Sequence, residues 1–341
     1  MTILEVSSSV APRTMLAAVY DKFGGPEAVR IAETATPQPG PTDLLVRVAA
    51  STVSVADHRM RARDLPPGLG LLALPVVGLF RPRRRVLGMD FSGTVIGVGN
   101  HVSRFKPGDE IVGMTGSAFG GHAEYLVVAE TAAIGIKPKN LSHEDAVALM
   151  FGGHTVSECV RRCPINIGDE VLVNGASGAV GSAAVQIAKH LGARVTAVTS
   201  AGNFGLVRSL GADRVVDYAK EDFASSERRY DIVFDCVGNV TFDRVERVIK
   251  SGGALLQVVA DLKTMLTAKA NSRRSGKSVI PISFTPGSVH ISSVLDLHRD
   301  GAVVPVVDRS YWFTDVVEAH RYVDTGRKRG SVVLRVAPAV Q

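Results

Sequence analysis

The sequence predicts an α/β protein in which a mostly-β part precedes a doubly wound parallel sheet. Three observations carry this. Residues 15–135 hold short β-rich segments broken by Gly and Pro, strand and helix patterns alternate from about residue 143, and a glycine-rich turn stands at the first strand-to-helix junction of that alternating half.

In the first part, MLAAVYD, LLVRVAASTVS, FSGTVIGVG, DEIVGM and AEYLVV read as short strands between turn residues. SHEDAVALMFGGHTVSECVRR (142–162) has helical spacing, with a cap at Ser142 or His143 and acids in the first turn at Glu144 and Asp145. Beyond it EVLVNG, VGSAAVQIAKHL, RVTAVTS, FGLVRSLG, RVVDY, YDIVFDCVG, FDRVERVIKSG and ALLQVV alternate as strand and helix. Such alternation predicts βαβ units, whose crossover helices cover both faces of a parallel sheet. LDLHRDGAVV and VVEAHRYVDTG read as two further helices, and GSVVLRV as a closing strand.

A chain of 341 residues is long enough for two domains, and 45% hydrophobic with 21% charged residues is the composition of a soluble globular protein. Cys159, Cys163 and Cys236 are too few and too clustered for a disulfide framework, which points to a reducing compartment. Residues 1–14 lack a basic start and a long apolar segment, so they read as a loose extension and the cytoplasm is the expected location. The apolar stretch LPPGLGLLALPVVGLF (65–80) is short and broken by proline and glycine, so no transmembrane segment is expected.

The formal charge of +6 is spread out, with short clusters at Arg81, Arg83, Arg84 and Arg85, at Arg273, Arg274 and Lys277, and at Arg327, Lys328 and Arg329. No aromatic stacking platform accompanies them, so they read as solvated surface, with an anionic small ligand as the alternative, and no nucleic-acid partner is expected. Apolar residues followed by RPRRR at 65–85 have three readings: a lid over an apolar substrate, a contact with an anionic membrane surface, or an insertion packed on its own domain.

The turn Gly175-Ala-Ser177-Gly178-Ala179-Val180-Gly181 follows a strand and opens a helix. Set on the dinucleotide fingerprint G-x-G-x-x-G, Ala176 takes the first place and Gly178 and Gly181 the others. Gly178 lets backbone approach a pyrophosphate, Gly181 lets the helix pack on the strand, and the helix start at Ala179 offers unpaired N–H groups to an anion. A carboxylate after the second strand would mark NAD, but there is no Asp or Glu from Ser182 to Ala212. Thr199, Ser200 and Asn203 stand there as neutral donors, so NADP(H) is the expected cofactor.

The segments AVYDKFGGPEAVRI, LGMDFSGTVIGVGNHVSRFKPGDEIVG, GGHAEYLVV, NGASGAVGSAAVQIAKHLGA, LVRSLGADRVVDY and FDCVG, in this order, resemble the medium-chain dehydrogenase/reductase superfamily. The likeness is greatest to its zinc-independent, zeta-crystallin-like quinone oxidoreductase branch. The resemblance implies a GroES-like catalytic domain from both chain ends (1–142 and 290–341) and a Rossmann NADP(H)-binding domain (143–289). It also implies a homodimer. Where zinc-dependent members carry ligands this chain has Ser54-Val-Ala-Asp57, Gly88-Met89-Asp90 and Gly152-Gly153-His154, and no cysteine occurs between Phe91 and Tyr125, so no metal site is expected. His154, Cys159 and Cys163 read as packing rather than as ligands.

By the same resemblance Thr155 would lie near the nicotinamide, Tyr218 beside the adenosine phosphate, and Val237 and Gly238 against the cofactor through their backbone, while Val258, Val259, Phe284 and Thr285 would line the nicotinamide side. The implied activity is hydride transfer to a quinone or α,β-unsaturated carbonyl. Ser54, Asp57 and His154 are the candidate catalytic residues; for Asp57 a turn-stabilising role is an equal reading. The alternatives are a carbonyl/alcohol oxidoreductase, an enoyl-thioester reductase, or a non-catalytic NADP(H)-binding redox sensor.

Overall fold

A computed structural model describes residues 11–282 and 288–336. The chain opens with β1 (Thr14–Tyr20) and β2 (Val29–Ala35), an antiparallel pair. There follow β3 (Asp43–Val53), α1 (Val55–Ala62), the single turn α2 (Leu74–Val77), β4 (Asp90–Val98), β5 (Glu110–Met114), β6 (Tyr125–Ala129) and β7 (Ala133–Ile136). Helix α3 (His143–Arg162) leads into β8 (Glu170–Asn174), α4 (Ala179–His190), β9 (Arg194–Thr199), α5 (Phe204–Ser209), β10 (Arg214–Asp217) and β11 (Tyr230–Asp235). Then come α6 (Phe242–Val245), β12 (Ile249–Gln257), α7 (Leu262–Ser275), β13 (Ser278–Pro281), α8 (Ser288–Arg299), β14 (Val307–Trp312), α9 (Val316–Asp324) and β15 (Ser331–Arg335).

Among the described residues two large sheets form. The first runs β14-β15-β3-β4-β5-β7, with β6 also paired to β3, so the chain end returns to the sheet begun at the N-terminal side. Fully buried Arg61 of α1 secures that return, because its guanidinium holds both carboxylate oxygens of Asp324, at the end of α9, at 2.6 Å. The second sheet runs β10-β9-β8-β11-β12-β13, every neighbouring pair parallel. Counted from β8 this is the Rossmann order 3-2-1-4-5-6, whose crevice opens where the order reverses, between β8 and β11.

Ser142 is the cap of α3: its Oγ accepts from Asp145 N at 3.0 Å, and Arg161 and Arg162 close the last turn. The helix serves both cores. Val147 and Ala148 pack with Ala50 and Val333 of the first sheet, whereas Leu149, Met150, Val156 and Cys159 belong to the core of the parallel sheet. Its two glycines permit close approach: a Cβ on Gly152 would lie 2.1 Å from the Ala179 carbonyl oxygen, and one on Gly153 2.8 Å from the Val294 side chain.

Several elements depart from the sequence expectation, which did not include β2, α1, α2, β7 or β13. The helix expected through FDRVERVIKSG stops at Val245, and β-branched Val248 and Ile249 turn the chain into β12, where Ile249 pairs with Tyr230. Helix α7 was not foreseen, since only Ala268 of it is buried and no apolar stripe marks it; its Asp261 cap accepts from Thr264 N at 2.7 Å. Strand β14 was missed as well; it pairs in parallel with β15 at the sheet margin.

Replacing Gly152 by Ala should therefore destabilise the protein by about 1–3 kcal/mol or more, the cost of overpacking against backbone that cannot rotate away. A lowered denaturant midpoint at unchanged slope is the expected reading; an unchanged midpoint would contradict the contact.

Candidate active site

The turn after β8 is built for backbone approach. Gly175 has φ +78°, and its N–H and that of Ala176 both donate to the Val198 carbonyl at 3.1 Å, which ties the turn to β9. A Cβ on Gly181 would lie 2.1 Å from the Gly175 carbonyl oxygen, so only glycine lets α4 sit on the turn. Gly178 differs: a Cβ there would meet nothing closer than 3.5 Å, so the protein itself does not require glycine at this position. Gly178 is also the N-cap of α4, with no side-chain cap. The first N–H groups of the helix are thus left to an anion.

Beside the turn, four hydroxyl and amide side chains converge. Thr199 Oγ1 lies 2.9 Å from Ser177 Oγ, and Asn203 Nδ2 donates to Ser177 Oγ, Ser200 Oγ and Thr199 Oγ1 at 3.0, 3.2 and 3.3 Å. Tyr218 follows β10, its N–H reaching the Thr199 carbonyl at 3.4 Å and its ring exposed. The C-terminal segment closes this side: Gly330 N donates to the Ser177 carbonyl at 2.8 Å, and Arg329 Nη2 lies 4.0 Å from where a Cβ on Gly202 would stand. The Arg329 guanidinium has no carboxylate partner among the described residues. Sequence reasoning had read Arg329, with Arg327 and Lys328, as solvated surface.

Across the crevice, the loop after β11 hangs on one buried carboxylate. Asp235 Oδ1 accepts from Asn174 Nδ2, Gly238 N and Val237 N at 3.0, 3.0 and 3.1 Å, and Oδ2 from Val240 N at 3.3 Å. Burial pushes this carboxyl up, and the hydrogen bonds from Gly238, Asn174, Val237 and Val240 oppose that push. Gly175 and the exposed Val237 touch across the crevice, and Gly238, at φ +87°, packs on Val259. Asn174 and Asp235 were not foreseen as positioning residues; the visible signal was a polar residue closing each of two apolar strands. Val258 and Val259 are half-buried beside this loop, whereas Phe284 and Thr285 lie outside the described residues.

The candidate catalytic residues occupy two other places. Ser54 and Asp57 form a capping box on α1: Asp57 Oδ2 accepts from Ser54 Oγ at 2.6 Å and Ser54 N at 2.8 Å, while Oδ1 accepts from Gly88 N at 2.8 Å. These bonds account for Asp57 as a turn-stabilising carboxylate. His154 is buried on α3, its ring edge-on to His290 of α8 at 5.1 Å, and His290 Nε2 lies 3.2 Å from Glu158. Thr155, equally buried, donates its hydroxyl to the Phe151 carbonyl at 2.7 Å.

Near the capping box, Asp90 is fully buried and accepts from Thr52 Oγ1 at 2.6 Å and Thr52 N at 2.7 Å. Desolvation pushes its carboxyl up to about 7 against the pull of the Thr52 bonds. The donor set does not fit zinc: the aligned positions offer a capping hydroxyl at Ser54, a thioether at Met89 and a ring packed on another histidine at His154. Among the described residues no three His, Cys, Asp or Glu side chains form a ligand group. A nicotinamide dinucleotide does fit, because the uncapped α4 and the glycine cradle would meet its diphosphate and the cluster at Ser177 its ribose. The cysteines are free: burial raises the Cys159 thiol to about 12, Cys236 well above the usual range and Cys163 less far.

Comparison with known proteins agrees with this fold. Residues 40–138 match the alcohol dehydrogenase GroES-like domain, and residues 210–334 match the zinc-binding dehydrogenase family. The chain is 30% identical to the 2-methylene-furan-3-one reductase of Solanum lycopersicum, over 98% of this chain and 82% of that protein. It is also 30% identical to an NADPH-dependent alkenal/one oxidoreductase, chloroplastic, of Arabidopsis thaliana, over 96% and 81%. The quinone oxidoreductase structure from Coxiella burnetii superposes with a TM-score of 0.85 at 26% identity, covering 95% of this chain and all of that one.

Two outcomes follow for the residues around α1. Ser54→Ala should cost about 0.5–2 kcal/mol of stability through loss of the cap, read from chemical unfolding. Asp90 holds its proton in the fold but releases it from about 3.8 upward in the unfolded chain, so its stabilising contribution is complete below that value, declines as pH rises, and levels off above about 7. Asp90→Asn keeps an acceptor for Thr52 N and should flatten the stability profile across that window; an unaltered profile would disprove the assignment.

Proposed function

The chain belongs to the medium-chain dehydrogenase/reductase superfamily, in its quinone oxidoreductase branch, and from that premise we propose that this oxidoreductase uses NADP(H) to reduce a quinone or an α,β-unsaturated carbonyl. The observation that carries the cofactor assignment is the carboxylate-free cluster of Ser177, Thr199, Ser200 and Asn203, with Arg329 on its open side. An aspartate there would accept from ribose hydroxyls but repel a 2′-phosphate; neutral donors and a guanidinium reverse that preference. The acceptor class is supported by the names of the two plant relatives and the Coxiella enzyme.

A bound nicotinamide would supply the hydride. The chain's own part is positional. The N-terminus of α4 holds the diphosphate, the Asp235-pinned loop at Val237 and Gly238 borders the crevice, and the apolar Val258 and Val259 lie on the nicotinamide side. Ser54 and Thr155 have hydroxyls engaged within the protein, and buried His154 packs against α8, so these three serve best as positioning groups near the reacting end. The division of the chain into 1–142 with 290–341 and 143–289 is supported by the parallel sheet ending at Pro281 and the first sheet resuming at Val307.

An exposed charge-assisted contact sits at the low end of about 1.5–3 kcal/mol, so Arg329→Ala should weaken NADPH binding roughly tenfold and leave NADH binding within about twofold. Fluorescence titration with both coenzymes checks this, and equal losses for the two would refute the 2′-phosphate role. NADPH oxidation against a panel of quinones, enones and aldehydes tests the acceptor class. Turnover of quinones or enones without aldehydes is expected, and turnover of aldehydes alone would assign the chain to carbonyl reduction.

A further inference from the structure

The segment between α1 and β4 packs some of its apolar side chains inward and leaves another set outside. Val77, at 2% exposure, is anchored in the first core with Leu87 and Met89, Leu65 and Ala73 pack partly against it, and Arg83 N donates to the Val77 carbonyl at 3.0 Å. Arg63 Nη1 and Arg83 Nη1 bind the carbonyls of Leu79 and Pro75 at 2.8 and 2.7 Å, so the segment is held in place. Yet Leu71, Leu72, Val76, Leu79 and Phe80 all face solvent, Leu71 at 81% and Phe80 at 87% exposure. An insertion packed on its own domain, or a closed lid, would bury these side chains.

The surface continues onto the parallel-sheet half. Leu262 N donates to the Pro67 carbonyl at 3.1 Å, and a Cβ on Gly68 would lie 2.7 Å from Leu262 Cβ. Met265 and Leu266 follow at i+3 and i+4 on α7, hence on the same helical face as Leu262, and both are exposed, Leu266 at 73%. Charge along this apolar surface is mainly basic, with Asp64 and Asp261 at its margins. No acid occurs from Leu65 to Met89, nor from Leu262 to Ser275, while Arg81, Arg84 and Lys269 are exposed and have no carboxylate partner among the described residues, and exposed Lys263 stands beside the Asp261 cap. Arg83 and Arg84 also line a cleft with Pro75, Val76 and Ser117.

We propose that this face docks on an anionic lipid bilayer. The side chains of Leu71, Leu72, Leu79, Phe80 and Leu266 enter the interfacial layer, and the arginines and lysines around them meet lipid phosphates. Apolar side chains fixed on a structured segment bind without the cost of ordering it, and the surplus of basic residues draws the protein to a negative surface. No helix of the described residues is long and apolar enough to cross a membrane, so the attachment is peripheral and salt-sensitive. The docking depends neither on the cofactor nor on the acceptor.

Co-sedimentation of the full chain with vesicles decides it. Vesicles of phosphatidylcholine with about one-third phosphatidylserine should retain the protein at low salt and release it at high salt, whereas pure phosphatidylcholine retains little. Leu71→Ser with Phe80→Ser should reduce the bound fraction roughly tenfold, and Arg81→Gln with Arg84→Gln should weaken binding and its salt dependence. All four changes are on exposed side chains, so an unchanged melting temperature and unchanged NADPH affinity confirm an intact fold. Equal retention by both vesicle types, or retention unaffected by either pair, overturns the proposal. So does a concentration-dependent dimer in sedimentation velocity that Leu71→Ser with Phe80→Ser abolishes, because a second copy would then cover the patch.

Discussion

The site depends on two places where backbone touches backbone with no side chain between. At one, Gly181 of α4 lies against the Gly175 carbonyl; at the other, Gly152 of α3 lies against the Ala179 carbonyl. A methyl group at either would sit 2.1 Å from an oxygen, inside any van der Waals contact. Together they fix the start of α4 between β8 and α3, and α3 in turn reaches the first sheet through Val147 and Ala148. The anion-binding end of one helix is thereby set relative to both halves of the molecule. Close packing transmits such a constraint, because cores have no slack to absorb it.

Around that fixed point, polar groups are placed by satisfaction of buried hydrogen-bonding capacity. Asp235 is fully buried and would be expensive as a lone charge, but four donors surround it, three of them backbone N–H groups of the loop that follows. The bonds that stabilise the carboxylate also shape the loop. Asn174 extends the arrangement by donating to Asn239 as well, at 2.8 Å, so the ends of β8 and β11 and the crevice between them form one hydrogen-bonded unit.

Local features of the site were legible in the sequence, and distant ones were not. The glycine turn, the absence of acids after it and the set Ser177, Thr199, Ser200 and Asn203 lie within one βαβ unit, where spacing determines proximity. The cap at Ser142 and the alternation of strands were visible for the same reason. Arg329 was not, because it arrives through the pairing of β15 with β3 and the contact of Gly330 with Ser177, which no periodicity records. Ser54-Val-Ala-Asp57 has the spacing of a capping box, yet the bond from Gly88 N that occupies the other Asp57 oxygen is a tertiary fact. Helix α7 escaped notice because a helix that buries one alanine leaves no stripe to read.

The state of the three cysteines bears on survival of the protein in use. Conjugated carbonyls and quinones, the acceptors proposed above, are soft electrophiles that alkylate thiolates by conjugate addition. With Cys159 buried and all three thiols raised above their usual range, burial favours the protonated thiol over the thiolate at each. Packing alone thus holds these thiols in the form that adds poorly to such electrophiles.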